Sequence, residues 1–122
     1  LAKRLWLGVA AISGASSVGL AAYGSHALKE HVTGKDAAHR KELWQIGNRF
    51  HMTHSLALLA VPMISNPFCH IAGSLFTLGM LGFSGSMYTK AYYGEAIIDP
   101  KITQAGGVMM GAGWLFFMFP RV

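Results

Sequence analysis

Four stretches of this chain are apolar enough to predict buried or lipid-facing helices, and short polar or proline-marked segments separate them. The first, over about 5–24, is built from alanine, glycine and serine more than leucine. Ala11, Ala15 and Gly19 recur at every fourth position, which predicts a flat strip that another helix can approach closely. The second begins after Asp36, a candidate cap. Leu43, Ile46, Gly47, Phe50 and His54 fall on one stripe, so a single helix is expected from Ala37 to Ile64. Its wholly apolar part, 55–64, covers only ~15 Å at 1.5 Å per residue, half of a ~30 Å hydrocarbon core. A spanning helix must therefore recruit 43–54 as well, which draws Asn48, Arg49, His51 and His54 inward and puts Trp44 at headgroup level. Asn66-Pro67 reads as a cap and first helical residue for a third helix, 67–90 in its spanning part, ending by Gly94. Gly82 and Ser86 lie on its small-residue face. Asp99-Pro100 repeats that start for a fourth, 101–119, in which Gly107 and Gly111 form a GxxxG.

The expected fold is all-α: an integral membrane four-helix bundle of up-down-up-down topology, one domain over 1–122, with spans at about 5–24, 43–64, 67–90 and 101–119 and a polar loop at 25–42. Composition agrees with a membrane setting, since 52% of the 122 residues are hydrophobic, 12% are charged and fifteen are glycine. Basic residues ahead of a small-residue apolar run also describe a signal or transit peptide. The length of the run, and Tyr23-Gly24-Ser25-His26 after it without a convincing cleavage site, favour a retained span. Leu1 in place of methionine implies residues upstream. Cys69 is the single cysteine, so no internal disulfide can form. The net charge of +5 comes from residues that flank apolar spans, not from a patch with stacking aromatics, and no nucleic-acid partner is expected.

Orientation follows from the basic residues. Lys29, Lys35, Arg40, Lys41, Arg49, Lys90 and Lys101 belong to the first and third loops or their edges, against Lys3, Arg4 and Arg121 on the other side. The positive-inside rule puts loop 25–42 in the cytoplasm or, in a mitochondrion, the matrix. Alternating topology then gathers Tyr23, His26, His51, His54, Tyr88, Lys90 and Gln104 toward one membrane face. A metal site from His26, His51 and His54, a bis-histidine haem site and a proton relay through His, Tyr and Lys are the chemical readings of this set. Against them stands a structural polar cluster of Tyr23, His26, His51, His54 and Tyr88, whose members satisfy one another and lock the helices together. The structural reading is preferred. Glu30, Glu42, Glu95 and Asp99 lie in loops, and no nucleophile–base set, phosphate loop or carboxylate pair is evident. No metal or cofactor is expected. His70, past the turn, reads as interfacial, and the methionines read as gap fillers.

Several segments together resemble the small transmembrane protein 256 family, also known as domain of unknown function 423. They are Tyr23-Gly24-Ser25-His26, His51-Met52-Thr53-His54-Ser55-Leu56-Ala57-Leu58-Leu59, Gly85-Ser86-Met87-Tyr88, Gly106-Gly107 and Gly113-Trp114. Ser25, Ala27 and a longer first loop depart from the family pattern. The resemblance covers nearly the whole chain and implies a four-helix membrane protein, mitochondrial in animal members, with no assigned activity. The functional expectation is a non-enzymatic protein of the mitochondrial inner membrane, with loop 25–42 on the matrix side. Its expected partners are membrane lipids and other membrane subunits, the respiratory-chain complexes among them, for which it would be an accessory or structural subunit. The alternative is a membrane enzyme or proton-coupled carrier that uses the His/Tyr cluster.

Overall fold

The first apolar stretch folds as helix α1 (Ala2–Ser25), seen in a computed structural model that describes residues 2–121. A short α2 (Leu28–His31) follows, then α3 (Ala37–Ala60), α4 (Phe68–Tyr93) and α5 (Pro100–Leu115). The described residues contain no β-strand, only an isolated antiparallel bridge between Ile64 and Pro120. The fold is all-α.

Each long helix lies antiparallel to the next. Ser13 meets Ser55 while Leu20 meets Trp44. Phe50 meets Phe83 while His54 meets Phe76. Gly79 meets Gly106 while Phe76 meets Gly113. The packing order is thus α1, α3, α4, α5. α1 reaches α4 near its own N-terminal end, where the Trp6 ring covers Gly73 and its Nε1–H donates to His70 Nδ1 at 3.2 Å, and again through Ser13 with Met80 and Tyr23 with Tyr92.

Several helix ends differ from the sequence expectation. Pro62 has no N–H and crowds the preceding turn, so α3 stops at Ala60 and Val61–Met63 tighten into a 3-10 turn. The fourth helix stops at Leu115, and Phe116–Met118 form another 3-10 turn. Beyond it the chain leaves the helix to pair with the α3–α4 turn: Ser65 N–H donates to the Phe119 carbonyl at 2.9 Å and Arg121 N–H to that of Met63 at 2.8 Å. α4 begins at Phe68, with Pro67 in the cap position. Asn66 does not cap it; its Oδ1 accepts from the Cys69 thiol at 2.8 Å. Asp36 likewise makes no side-chain cap bond. Asp99 does cap α5, accepting from Lys101 N–H at 2.9 Å ahead of Pro100.

The packing glycines also differ from those the spacing suggests. Ala11, Ala15 and Gly19 face away from the rest of the chain. The strip that meets α3 is Ser13, Gly14, Ser17 and Gly24, where an α1 helix with few large side chains brings its backbone close. In α5, a Cβ on Gly111 would meet nothing within 4 Å, and one on Gly107 only the Phe83 ring at 3.7 Å. The close approach is made by Gly106 against Gly79, where a Cβ on Gly106 would lie 2.7 Å from the Gly79 carbonyl oxygen. Gly82 and Ser86 do lie on the α5 side: a Cβ on Gly82 would meet the Ile102 carbonyl at 3.3 Å, and Ser86 is buried.

Two apolar cores result. Trp6, Ala10, Leu58, Val61, Ile64, Cys69, Phe76, Met80 and Met110 fill the end near the α3–α4 turn. At the other end, the stretch expected as a polar loop folds back. Leu28 and Val32, each 1% exposed, pack with Leu43, Trp44 and Ala91. Outside, Ile12, Leu81 and Val108 are 75%, 67% and 73% exposed, part of a broad apolar girdle.

Candidate functional site: a polar layer between two apolar cores

Between the two cores α1, α3 and α4 contribute a layer of hydrogen-bonded polar groups. Asn48 Nδ2 lies 2.8 Å from the Ser17 carbonyl and 3.1 Å from Tyr88 Oη. A carbonyl only accepts, so the amide must turn its NH2 that way and donate to both. Tyr88 Oη accepts from Asn48 and lies 3.0 Å from His51 Nδ1, the acceptor that its own proton reaches among the described residues. Satisfying the Tyr88 hydroxyl in this way assigns His51 the neutral tautomer with its proton on Nε2. That N–H faces Ser16 Oγ at 3.4 Å, beyond the usual range for an N–H donor, with the Ser13 carbonyl as a second weak partner. Ser16 itself donates to the Ser13 carbonyl at 2.9 Å.

His54 is arranged the opposite way. Its Nδ1–H donates to the Phe50 carbonyl one turn back at 2.8 Å, and its Nε2 accepts from Trp114 Nε1–H of α5 at 3.0 Å. Further hydroxyls complete the layer. Ser84 donates to the Gly47 carbonyl at 2.8 Å, and Ser55 donates to the His51 carbonyl at 2.7 Å while facing Ser13 at 2.6 Å. Among the described residues every buried side-chain nitrogen and oxygen has a partner.

The structure brings together His51 and Tyr88 from the expected cluster. His54 sits on the same helix but turns toward Phe76 and Trp114. Tyr23 makes no hydrogen bond to His51 or Tyr88 and joins them through Trp44, whose ring lies 5.3 Å from Tyr23 and 4.7 Å from Tyr88; the Tyr92 ring is 6.5 Å from Tyr23. His26 is exposed beyond the end of α1, and its side chain makes no hydrogen bond among the described residues. The physical reason is the length of α1: it runs on to Ser25, which leaves His26 outside the layer. No three His, Cys, Asp or Glu side chains converge among the described residues.

Ser16, Ser17 and Trp114 were not assigned to the layer by spacing. Arg40 was missed as well. It lies beside Gly94, the left-handed residue (φ +83°) that ends α4. Its Nε and Nη2 donate to the Ala91 and Tyr92 carbonyls at 2.8 and 2.6 Å. A cation thereby satisfies two orphan carbonyls at the negative end of the helix dipole.

Two grooves flank the layer. One, of about 400 Å³, opens between α1 and α4 and is lined largely by apolar side chains, with Ser16, His51 and Tyr88 among its lining residues. The other, of about 360 Å³, lies on the outer face of α3 and is lined by Gln45, Asn48, Arg49, Met52 and Thr53.

An all-α chain with an apolar girdle, an internally paired polar layer and two helices (3–25 and 68–93) long and apolar enough to cross a membrane has the physical character of a membrane protein. The comparisons agree. The family model described as "Protein of unknown function (DUF423)" matches residues 20–107, and the chain belongs to that family, as its motifs suggested. Three relatives are named UPF0382 membrane proteins. One, from Staphylococcus aureus (strain bovine RF122 / ET3-1), is 30% identical over 118 residues, covering 94% of this chain and 93% of the relative. Another, from Haemophilus influenzae, is 32% identical over 117 residues, covering 93% and 90%. The third, from Schizosaccharomyces pombe, is 36% identical over 114 residues, covering 87% and 92%. Bacterial relatives mean that the family is not confined to mitochondria. No solved structure matches the chain.

Proposed function

We propose that this chain is a non-enzymatic integral membrane protein, an up-down-up-down bundle of four spanning helices that acts as an accessory subunit to larger membrane complexes. The observation that carries the reading is the outer face of α3. Gln45, Arg49 and Thr53 are exposed there, on a helix that must cross the bilayer if its neighbours do. Polar and charged groups at that depth are costly against lipid and are stable when another protein covers them. Arg49 can lift its guanidinium toward the headgroups, but Thr53, ~6 Å further along the helix at 1.5 Å per residue, cannot follow. The fitting partner is a membrane helix that offers a carboxylate to Arg49.

Bacterial and fungal relatives suit a membrane that both lineages possess, the energy-transducing membrane, which is the plasma membrane in bacteria and the inner membrane in mitochondria. Respiratory complexes are the partner class we assign there, with loop 25–42 on the cytoplasmic or matrix side. A photo-crosslinker at position 53, used in native membranes with a second at position 108 as the lipid-facing control, tests the reading. Position 53 should capture a membrane subunit and position 108 lipid. If both capture only lipid, the accessory role is wrong.

The competing reading takes Ser16, His51, Tyr88 and Asn48 as a proton path for a carrier or enzyme. The path ends on the Ser17 carbonyl, which accepts a hydrogen bond but passes no proton onward. Loss of a transport or redox activity in well-folded His51→Gln protein would favour it over ours.

A further inference from the structure

We infer that the groove between α1 and α4 binds a neutral, single-chain lipid carrying a carbonyl, with the carbonyl oxygen on His51 Nε2–H. The inference is independent of the partner surface on α3, because it concerns the opposite side of the His51 layer. α1 packs on α3 and touches α4 at Trp6, through Ser13 and Met80, and through Tyr23 and Tyr92, and side chains of both helices line a gap between these contacts. The gap of about 400 Å³ falls within the size range of small-ligand pockets. Along α1 it runs from Val9 to Leu20, ~16 Å at 1.5 Å per residue, which is the reach of one leaflet of a ~30 Å core.

The donors and acceptors on its wall select the head. Thr77 donates to the Gly73 carbonyl, Ser84 to that of Gly47 and Ser16 to that of Ser13. The Tyr88 proton is committed to His51 Nδ1. Ser13 donates to Ser55, which has given its own proton to the His51 carbonyl. Among the described lining groups His51 Nε2–H is left with weak partners alone, Ser16 Oγ at 3.4 Å and the Ser13 carbonyl. One under-used N–H in an apolar wall calls for one acceptor on an apolar body.

Depth and charge narrow the choice. His51 is seven residues beyond Trp44, the ring packed with Tyr23 and Tyr88 at the loop end, so it lies ~10 Å further into the helix at 1.5 Å per residue. Phospholipid esters stay near headgroup level, above that depth. A fatty-acid anion would have to leave water for a site with no cation, which is costly. A ketone or simple ester on a long chain can descend without that cost.

The test titrates purified protein, labelled with 15N-histidine, with a long-chain alkyl ketone, a fatty-acid methyl ester, an alkane of equal length, a fatty-acid anion and a phospholipid. The ketone and the ester should move the His51 Nε2–H resonance and bind roughly 3–10-fold tighter than the alkane, the worth of one net hydrogen bond. Gly85 lines the groove, and a Cβ there would meet nothing within 4 Å. Gly85→Leu should therefore fold as well as the parent while losing both effects. The proposal fails if the alkane binds equally, if the phospholipid or the anion produces the same shift, or if a folded Gly85→Leu protein binds unchanged.

Discussion

Alanine in place of Gly106 separates close helix packing from mere helix propensity. The added Cβ would sit 2.7 Å from the Gly79 oxygen and 2.7 Å from the Phe83 nitrogen. Both are backbone atoms of α4, so no side-chain rotation relieves the clash. α5 must move out by roughly half an ångström or more to reach ordinary contact, and it loses dispersion contacts along the interface as it does so. Overpacking of this kind costs about 1–3 kcal/mol, against which alanine returns up to about 1 kcal/mol of helix propensity. The expected net loss is about 1–2 kcal/mol. Gly111→Ala is the matched control on the same helix. Its Cβ meets nothing within 4 Å, so it should gain up to about 1 kcal/mol from propensity alone. Thermal unfolding of both variants in one mild detergent, followed by near-UV circular dichroism, reads the difference. If Gly106→Ala and Gly111→Ala shift the midpoint equally and in the same direction, the Gly79–Gly106 contact does not hold α4 against α5.

Gly24→Ala should destabilise by about 1–3 kcal/mol, because its Cβ would lie 2.5 Å from the Trp44 ring; a rise in Trp44 exposure by acrylamide quenching checks it. Arg40→Ala should loosen the end of α4, with faster amide exchange after Lys90, and cost about 1 kcal/mol at this half-exposed site. Arg40→Lys should recover only part, since one ammonium cannot hold the Ala91 and Tyr92 carbonyls in the same fork. Trp114→Phe keeps the ring but leaves His54 Nε2 without its donor; a loss of about 1–3 kcal/mol is expected, and an unchanged midpoint would mean that water replaces the indole. In sealed membranes with known orientation, protease should cut loop 25–42 only from the cytoplasmic or matrix side, and cleavage from the opposite side would reverse the topology argued from the basic residues.

What the sequence made legible was the number of long helices, the Asp99-Pro100 start and the inward placement of Asn48, His51 and His54; Arg49, expected inward with them, is exposed on the outer face of α3. Each follows from a local cause: apolar length, cap chemistry, or the shortfall of apolar residues after His54. What stayed hidden depends on rotation about a helix axis. Spacing shows that Ala11, Ala15 and Gly19 share a face, or that Gly107 and Gly111 do, but several such faces compete on helices so rich in small residues. In α1 the face of Ser13, Gly14 and Ser17 wins because its hydroxyls meet Ser55 and Met52. In α5 the choice falls to Gly106, which Phe83 and Gly79 leave no room to replace. The folding back of Leu28 and Val32 was equally hidden, since two apolar residues in a charged stretch carry little periodicity.

The two histidines show why spacing alone misdirects the chemistry. Positions three apart share a broad helix face but differ by about 60° in direction at 3.6 residues per turn. Here that difference sends His51 to Tyr88 at the α1–α4 groove and His54 to Trp114 on α5. Each ring has one nitrogen that donates and one that accepts, in opposite order. The accepting nitrogen is in both cases already bonded, His51 Nδ1 by the Tyr88 hydroxyl and His54 Nε2 by the Trp114 indole. A cation could take either lone pair only by displacing an aromatic donor into an apolar wall, and the two pairs point to different neighbours. The arrangement is therefore poor for a shared ion and good for joining helices: His51 ties α3 to α4, while His54 ties it to α5. Of the four ring nitrogens, His51 Nε2–H alone is left with weak partners, Ser16 Oγ and the Ser13 carbonyl, and a donor in an apolar groove selects an acceptor.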